Sequence, residues 1–274
     1  MKKFLLVLCL TGSLVAAEIA SGPVLSLSAA KVTHNSILLV KVFDKNAKSL
    51  KIKESVFPLF AGQDGASTGV LLGVPAWWTA GEYVPEVDGK KTELVLEVLG
   101  RAAKTEKITI DKTKLVKSEE TSTQGKLLAE EISFLLEKKY WIGKFIKPVA
   151  GRVSTEYGVK RTVNGSQGGM HRGIDIAADE GVEVIAANDG VVKLSRNHIL
   201  TGNTVVLNHG AGVVSVYYHM SALLVKENEK VKKGEVIGKV GSTGVSTGAH
   251  LHWGIWIFGV DVNPLELIEK EMEF

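Results

Sequence analysis

Between residues 145 and 258 the chain is cut by glycine and asparagine turns into short, β-branched runs, and that punctuation limits the folds open to it more than any other feature. Residues 182–187 are followed by Asn188-Asp189-Gly190 and then 191–194, which reads as a hairpin because Asn, Asp and Gly accept the positive φ of a tight β turn. Residues 203–208 and 213–218 are split by His209-Gly210-Ala211-Gly212, residues 231–238 form a strand–turn unit, and a last strand is expected over 250–258. Such even spacing indicates a compact antiparallel β domain over 143–274.

The N-terminal half has the same texture without the chemistry. Strand candidates fall at 36–43, 56–60, 69–75, 83–87, 93–98 and 107–110, a spacing that argues for a small immunoglobulin-like sandwich over 18–115. Pro58, Pro75 and Pro85 suit edges or strand ends. Trp77-Trp78 has the makings of a sugar platform, but a half-buried pair in a sandwich is the better reading, and His34 reads as structural or surface. The polar stretch 111–125 is a connector. From 126 to 141, Leu128, Ile132, Leu135 and Leu136 recur with a helical period, with Ser122 or Thr123 as cap and Gly143 as stop. The expectation is therefore a mainly β chain, with a linker and connecting helix over 116–142.

Composition enters at the N-terminus. Lys2 and Lys3, the apolar run from Phe4 to Leu10 and the small residues Val15-Ala16-Ala17 read as a secretory signal over 1–17, so the chain is expected to be exported to a periplasm or cell envelope. The apolar run is too short to span a membrane. Net charge is +3, of which Lys2 and Lys3 supply two, so nucleic acid is not an expected partner. Cys9, the only cysteine, lies inside the signal. A mature chain has no disulfides, and any metal site in it must use nitrogen and oxygen ligands.

Such ligands are present. His171 and Asp175 stand four apart, His219 follows Tyr218, and His250 and His252 are two apart. Residues i and i+2 of a strand project from one face, so one of the last two imidazoles can reach a metal while the other stands beside a substrate. Gly173, Ile174 and Ile176 argue against a helix around His171 and Asp175, and a straight strand would hold those two about 13 Å apart. A shared ion therefore requires a bend near Gly173. Two histidines, a carboxylate and water make an open tetrahedral zinc site, where zinc would lower the pKa of the water from about 15.7 to about 7 and polarise a carbonyl. No H-E-x-x-H occurs, so base and oxyanion donor fall to the remaining histidines, His219 and His250.

Met170-His171-Arg172-Gly173-Ile174-Asp175, Tyr218-His219 and Ser246-Thr247-Gly248-Ala249-His250-Leu251-His252-Trp253 resemble the three motifs of the M23 peptidases, the lysostaphin- and LytM-like zinc endopeptidases of bacterial cell walls. The similarity runs from about 145 to 267 and includes Gly202-Asn203-Thr204-Val205 and Gly234-Glu235-Val236-Ile237-Gly238. It implies a LytM-like (duplicated hybrid motif) catalytic domain in which one zinc is bound by His171, Asp175 and His252, His219 and His250 serve catalysis, and the substrate is a peptide bond of peptidoglycan. Some relatives lack ligands and only activate amidases; all five positions are filled here. His198 and His209 lie outside the motifs and read as structural or surface. Arg172 either meets substrate or faces solvent.

Two other readings compete. One is a non-catalytic regulator that binds wall or activates an amidase. The other starts from residues 231–238, which resemble the turns of biotinyl and lipoyl carriers and of a phosphotransfer domain; the signal segment argues against both, and a shared β architecture explains the pattern. A further expectation is latency, with the residues before the catalytic domain covering the cleft or offering zinc a fourth ligand. The short signal favours cleavage of D-alanyl–diaminopimelate cross-links over glycine bridges.

Overall fold

The computed structural model describes residues 24–115 and 118–274, with the backbone of Val15–Ala17. The signal read over 1–17 lies outside the described residues apart from that backbone. The chain is mainly β, with two α-helices among the described residues, and divides into two units: Met1–Arg101 with Met272–Phe274, and Ala102–Glu271.

The first unit is built from three sheets of five, four and three strands. In the largest, Ile37–Val42 lies between Leu25–Leu27 and Thr68–Gly73, all antiparallel. Consecutive residues of Ile37–Val42 and Thr68–Gly73 are buried on both faces, which explains their unbroken apolar runs. Pro58 closes an edge strand, Ser55–Pro58, where its missing N–H costs no ladder bond. Trp78 is buried beside Tyr83, with its carbonyl accepting from His34 Nε2 at 2.7 Å, while Trp77 is exposed.

The second unit is organised on an eight-stranded sheet. Its path is Arg152–Thr155, Ile174–Ala177, His250–Ile257, Val213–Met220, Gly202–Gly210, Gly190–His198 and Lys230–Val231, with every pairing antiparallel. Val260–Val262 folds back on His250–Ile257 through Phe258-Gly259, both at positive φ, the conformation of a tight hairpin turn. Two small sheets flank the large one. One joins Glu183–Ile185, Val236–Lys239 and Ala222–Leu223; the other joins Thr105–Ile108, Lys160–Val163 and Ser166–Met170.

Three expectations need correction. The hairpin expected across Asn188-Asp189-Gly190 does not form: Glu183–Ile185 pairs with Val236–Lys239, and Gly190–His198 pairs with Gly202–Gly210. None of the three turn residues has positive φ. The Asn188 amide is instead spent on the Ile142 and Lys144 carbonyls, and the Asp189 carboxylate on Lys232 and Lys233. The strand near 107–110 starts earlier, at Thr105, and joins the second unit by pairing in parallel with Lys160–Val163.

The connecting helix is shifted as well, to Glu119–Ser133. Ser118 caps it through a reciprocal box with Thr121, and Glu119 and Glu120 stand at its positive end. It stops before Leu135 and Leu136 because the carbonyls there are taken elsewhere: Asn208 Nδ2 donates to Phe134 O and the Ala211 N–H to Leu136 O. The helix lays Ile132, with Leu127 and Leu128, against Val214, Val216, Tyr218 and Trp256 of the large sheet. At about 25 cal/mol per Å² of apolar surface, this packing rather than helix propensity holds a fifteen-residue helix in place.

Candidate metal centre

Sheet register makes the site. Asp175 lies directly opposite His252, and His252 directly opposite Tyr218 on its other side. Cross-strand neighbours have Cβ atoms about 4.5–5.5 Å apart, so three consecutive strands deliver a carboxylate, an imidazole and a phenol ring to one place. The Tyr218 ring stacks on His252 at 5.1 Å and 6°. His171 enters from the segment between Ser166–Met170 and Ile174–Ala177, turned by Gly173. A Cβ on Gly173 would lie 2.5 Å from the Trp253 carbonyl and 2.7 Å from His252 Nε2, so only glycine lets the chain bend this close.

Three ligand-capable atoms then converge. His171 Nε2 lies 2.9 Å from Asp175 Oδ1 and 3.0 Å from His252 Nδ1, and His252 Nδ1 lies 2.9 Å from the same Oδ1. All three residues are buried. The outer nitrogen of His171 is committed: Nδ1 lies 2.9 Å from the Glu156 carbonyl, which can only accept, so the proton sits on Nδ1 and the Nε2 lone pair faces inward. Burial opposes ionisation of Asp175, but the imidazoles of His171 and His252 packed against it outweigh that cost and hold the carboxyl well below the usual range. Burial pushes the His252 pKa down, against the pull of Asp175. An ionised carboxylate and inward-facing imidazole nitrogens, close-set and shielded from water, are a donor set that fits zinc.

The other two histidines stand at the rim. His219 Nδ1 donates to Thr243 O at 2.8 Å and His250 Nδ1 to Gly248 O at 2.8 Å, with Ser246 Oγ at 3.3 Å. In each neutral ring the proton is thereby placed on Nδ1 and Nε2 is left as an acceptor. His250 Nε2 is 3.7 Å from Asp175 Oδ1, and the His219 and His250 ring centres are 4.9 Å apart. His219 has φ +66°, a left-handed conformation that costs a non-glycine residue about 1–3 kcal/mol. Burial, then the neighbouring His252 and His250, push its pKa down to about 3, so the ring is neutral at ordinary pH.

All five expected positions are thus brought together: His171, Asp175 and His252 inside, His219 and His250 beside them. His198 and His209 are kept apart from them. His209 is buried, bonded to Asp189 O and Ser215 Oγ at 2.7 Å each, with its pKa pushed down to about 4 by burial. His198 is buried at the end of its strand, its pKa lowered by burial and by Arg196. Arg172 is exposed and borders the cleft.

Sequence reasoning missed two contributors. The helix Glu119–Ser133 supplies Leu128, Ala129 and Ile132 to one wall of a cavity of about 490 Å³ whose floor includes His171, His219 and His252. Arg161 Nη2 donates to Asp175 Oδ2 at 2.8 Å. No spacing rule links Arg161 to Asp175, since the contact is made by a bulged hairpin rather than by a strand or helix period.

Residues 169–264 match peptidase family M23. Peptidoglycan DD-endopeptidase ShyA of Vibrio cholerae is 43% identical over 96 residues, 35% of this chain and 22% of that protein. Murein hydrolase activator NlpD of Escherichia coli is 39% identical over 120 residues, 43% of this chain and 31% of its own length. The chain thus spans less than a third of each of these relatives. A solved structure from Pseudomonas aeruginosa, described as a peptidase M23, superposes with a TM-score of 0.65 at 21% identity, covering 86% of this chain and 94% of that one, and so shares its fold.

Proposed function

We propose, from the premise that residues 169–264 form an M23 peptidase domain, that the protein is an exported zinc-dependent endopeptidase that hydrolyses peptide bonds in peptidoglycan, at D-alanyl–diaminopimelate cross-links. The observation that carries the reading is the convergence of His171 Nε2, Asp175 Oδ1 and His252 Nδ1 within 3.0 Å, beside two rim histidines whose Nδ1 atoms are anchored on the Thr243 and Gly248 carbonyls. The name of the ShyA relative supports the substrate class.

His171, Asp175 and His252 would hold the zinc. Bound there, zinc supplies Lewis-acid polarisation of the scissile carbonyl and lowers the pKa of water. The protein's own groups do the rest. His219 Nε2, kept basic-side-out by the Thr243 carbonyl, accepts the proton that water loses as its oxygen bonds to the carbonyl carbon. His250 Nε2 is an acceptor while the ring is neutral; once protonated, it donates to the oxyanion at the same atom, its other N–H being anchored on Gly248. When the C–N bond breaks, the leaving amine takes from His219 Nε2 the proton that water gave up. The apolar wall of Leu128 and Ile132 limits the approach of bulk water on one side.

The intact set of five groups favours an enzyme over an activator, the role in the name of the NlpD relative. The test is digestion of diaminopimelate-type peptidoglycan with products read by mass spectrometry. Cross-linked dimers collapsing to monomers with wild type, but not with His250→Ala, supports the endopeptidase. No cleavage alone, but faster release of stem peptides when an amidase is added, supports the activator instead.

A further inference from the structure

The carboxylate of Asp175 has two oxygens with different surroundings. Oδ1 faces His171 and His252; Oδ2 is 2.8 Å from Arg161 Nη2. Arg161 is itself anchored, its Nε donating to Glu106 Oε1 at 2.6 Å. Glu106 stands directly across from Arg161 where Thr105–Ile108 pairs with Lys160–Val163. On the other side of Arg161 the hairpin register slips between Lys160 and Thr162. Gly168 sits opposite the slip, where a Cβ would lie 2.8 Å from the Arg161 carbonyl. A bulge of this kind re-aims a side chain, and here it turns the guanidinium inward. Glu106 and Arg161 both lie outside the 169–264 match.

We infer that Arg161 is a positioning residue for Asp175: it occupies Oδ2, leaves Oδ1 alone to face the metal position, and is held in that pose by Glu106. The inference rests on the reading of His171, Asp175 and His252 as a zinc centre. A planar guanidinium can grip two carboxylates at fixed angles, which the point charge of a lysine cannot. A carboxylate that presents one oxygen uses one coordination position and leaves room for water and substrate; one that presents both fills the site. The chain of contacts also makes residues 105–108 part of the site's support.

The test strips the full chain with chelator, then titrates it with zinc against a chromophoric chelator and with Co(II) by visible absorption. Wild type should bind one zinc. Arg161→Gln should lose roughly ten- to a hundredfold in zinc affinity, the usual effect of removing a group that orients a ligand, and its Co(II) bands should weaken as Asp175 offers both oxygens. Arg161→Lys should restore only part of the affinity. Glu106→Gln should lose several-fold, and the double variant should be no worse than Arg161→Gln, because Glu106 acts through Arg161. Unchanged or tighter zinc binding with unchanged Co(II) bands in Arg161→Gln overturns the inference while leaving the zinc centre standing. A wild-type chain that binds no zinc overturns both. If Arg161→Gln does not fold, Arg161→Lys and Glu106→Gln decide on the same terms: wild-type affinity in both refutes the positioning role.

Discussion

The two units are both β structures with buried apolar strands, yet they bury different polar groups. Among the described residues, the first unit buries only neutral ones: Ser26, Asn35, Ser67, Thr68 and Thr92. The second buries His171, His198, His209, His219, His252 and Asp175. Each such group forgoes hydration, and without hydrogen bonds that costs several kcal/mol. A fold needs no such groups in its core, as the first unit demonstrates. Where they gather with their lone pairs aimed at one point, the arrangement is explained by chemistry rather than by packing.

The sharpest way to break this contrast is to remove a convergent group. Asp175→Asn keeps the size of the side chain but loses the charge. It should lower peptidoglycan cleavage on the order of a thousandfold, since Lewis-acid stabilisation is worth several kcal/mol, with zinc content falling in parallel. Substantial activity in that variant would mean that the carboxylate is structural. The counterpart in the first unit is Leu71→Ala, which leaves a cavity at a fully buried position. It should cost about 2–5 kcal/mol in denaturant unfolding while zinc affinity stays at the wild-type value.

A smaller effect separates the histidine populations. The pKa of His209 falls to about 4 on burial, below an unfolded value near 6.5. The neutral form is the folded one, so its contribution is complete above about pH 6.5 and is lost as pH falls toward 4. At pH 5 this single group should destabilise the fold by about 2 kcal/mol relative to pH 7, and His209→Gln should flatten that part of the pH–stability curve. An unaltered curve would remove His209 from the account. Smallest is Ser118→Ala, which deletes the cap of the helix that walls the cleft. A loss of about 1 kcal/mol is expected, seen as faster amide hydrogen exchange over 119–124 with zinc affinity unchanged.

Much of the site was legible because its residues obey strand geometry. His250 and His252 share a face by their spacing of two, and the bend at Gly173 follows from the reach between His171 and Asp175. The fold was legible as strands and turns but not as pairings. Asn188-Asp189-Gly190 carries a hairpin signature, yet tertiary bonds to Ile142, Lys144, Lys232 and Lys233 outcompete the turn. Leu135 and Leu136 continue a helical period, yet Asn208 and Ala211 take the Phe134 and Leu136 carbonyls and the helix ends before them. Arg161 stayed hidden because its contact depends on a bulge, which alters register without leaving a period to read.

The central claim is that the buried cluster of the second unit is a zinc site on which hydrolysis depends. Its most direct test is a zinc titration of chelator-stripped protein, with release of monomers from cross-linked peptidoglycan followed at each step. Cleavage that is absent in the stripped chain, rises in proportion to added zinc and reaches its plateau at one ion per chain is the predicted result. Full cleavage without metal, or one bound zinc in a His171→Ala, Asp175→Asn, His252→Ala triple variant, would contradict it.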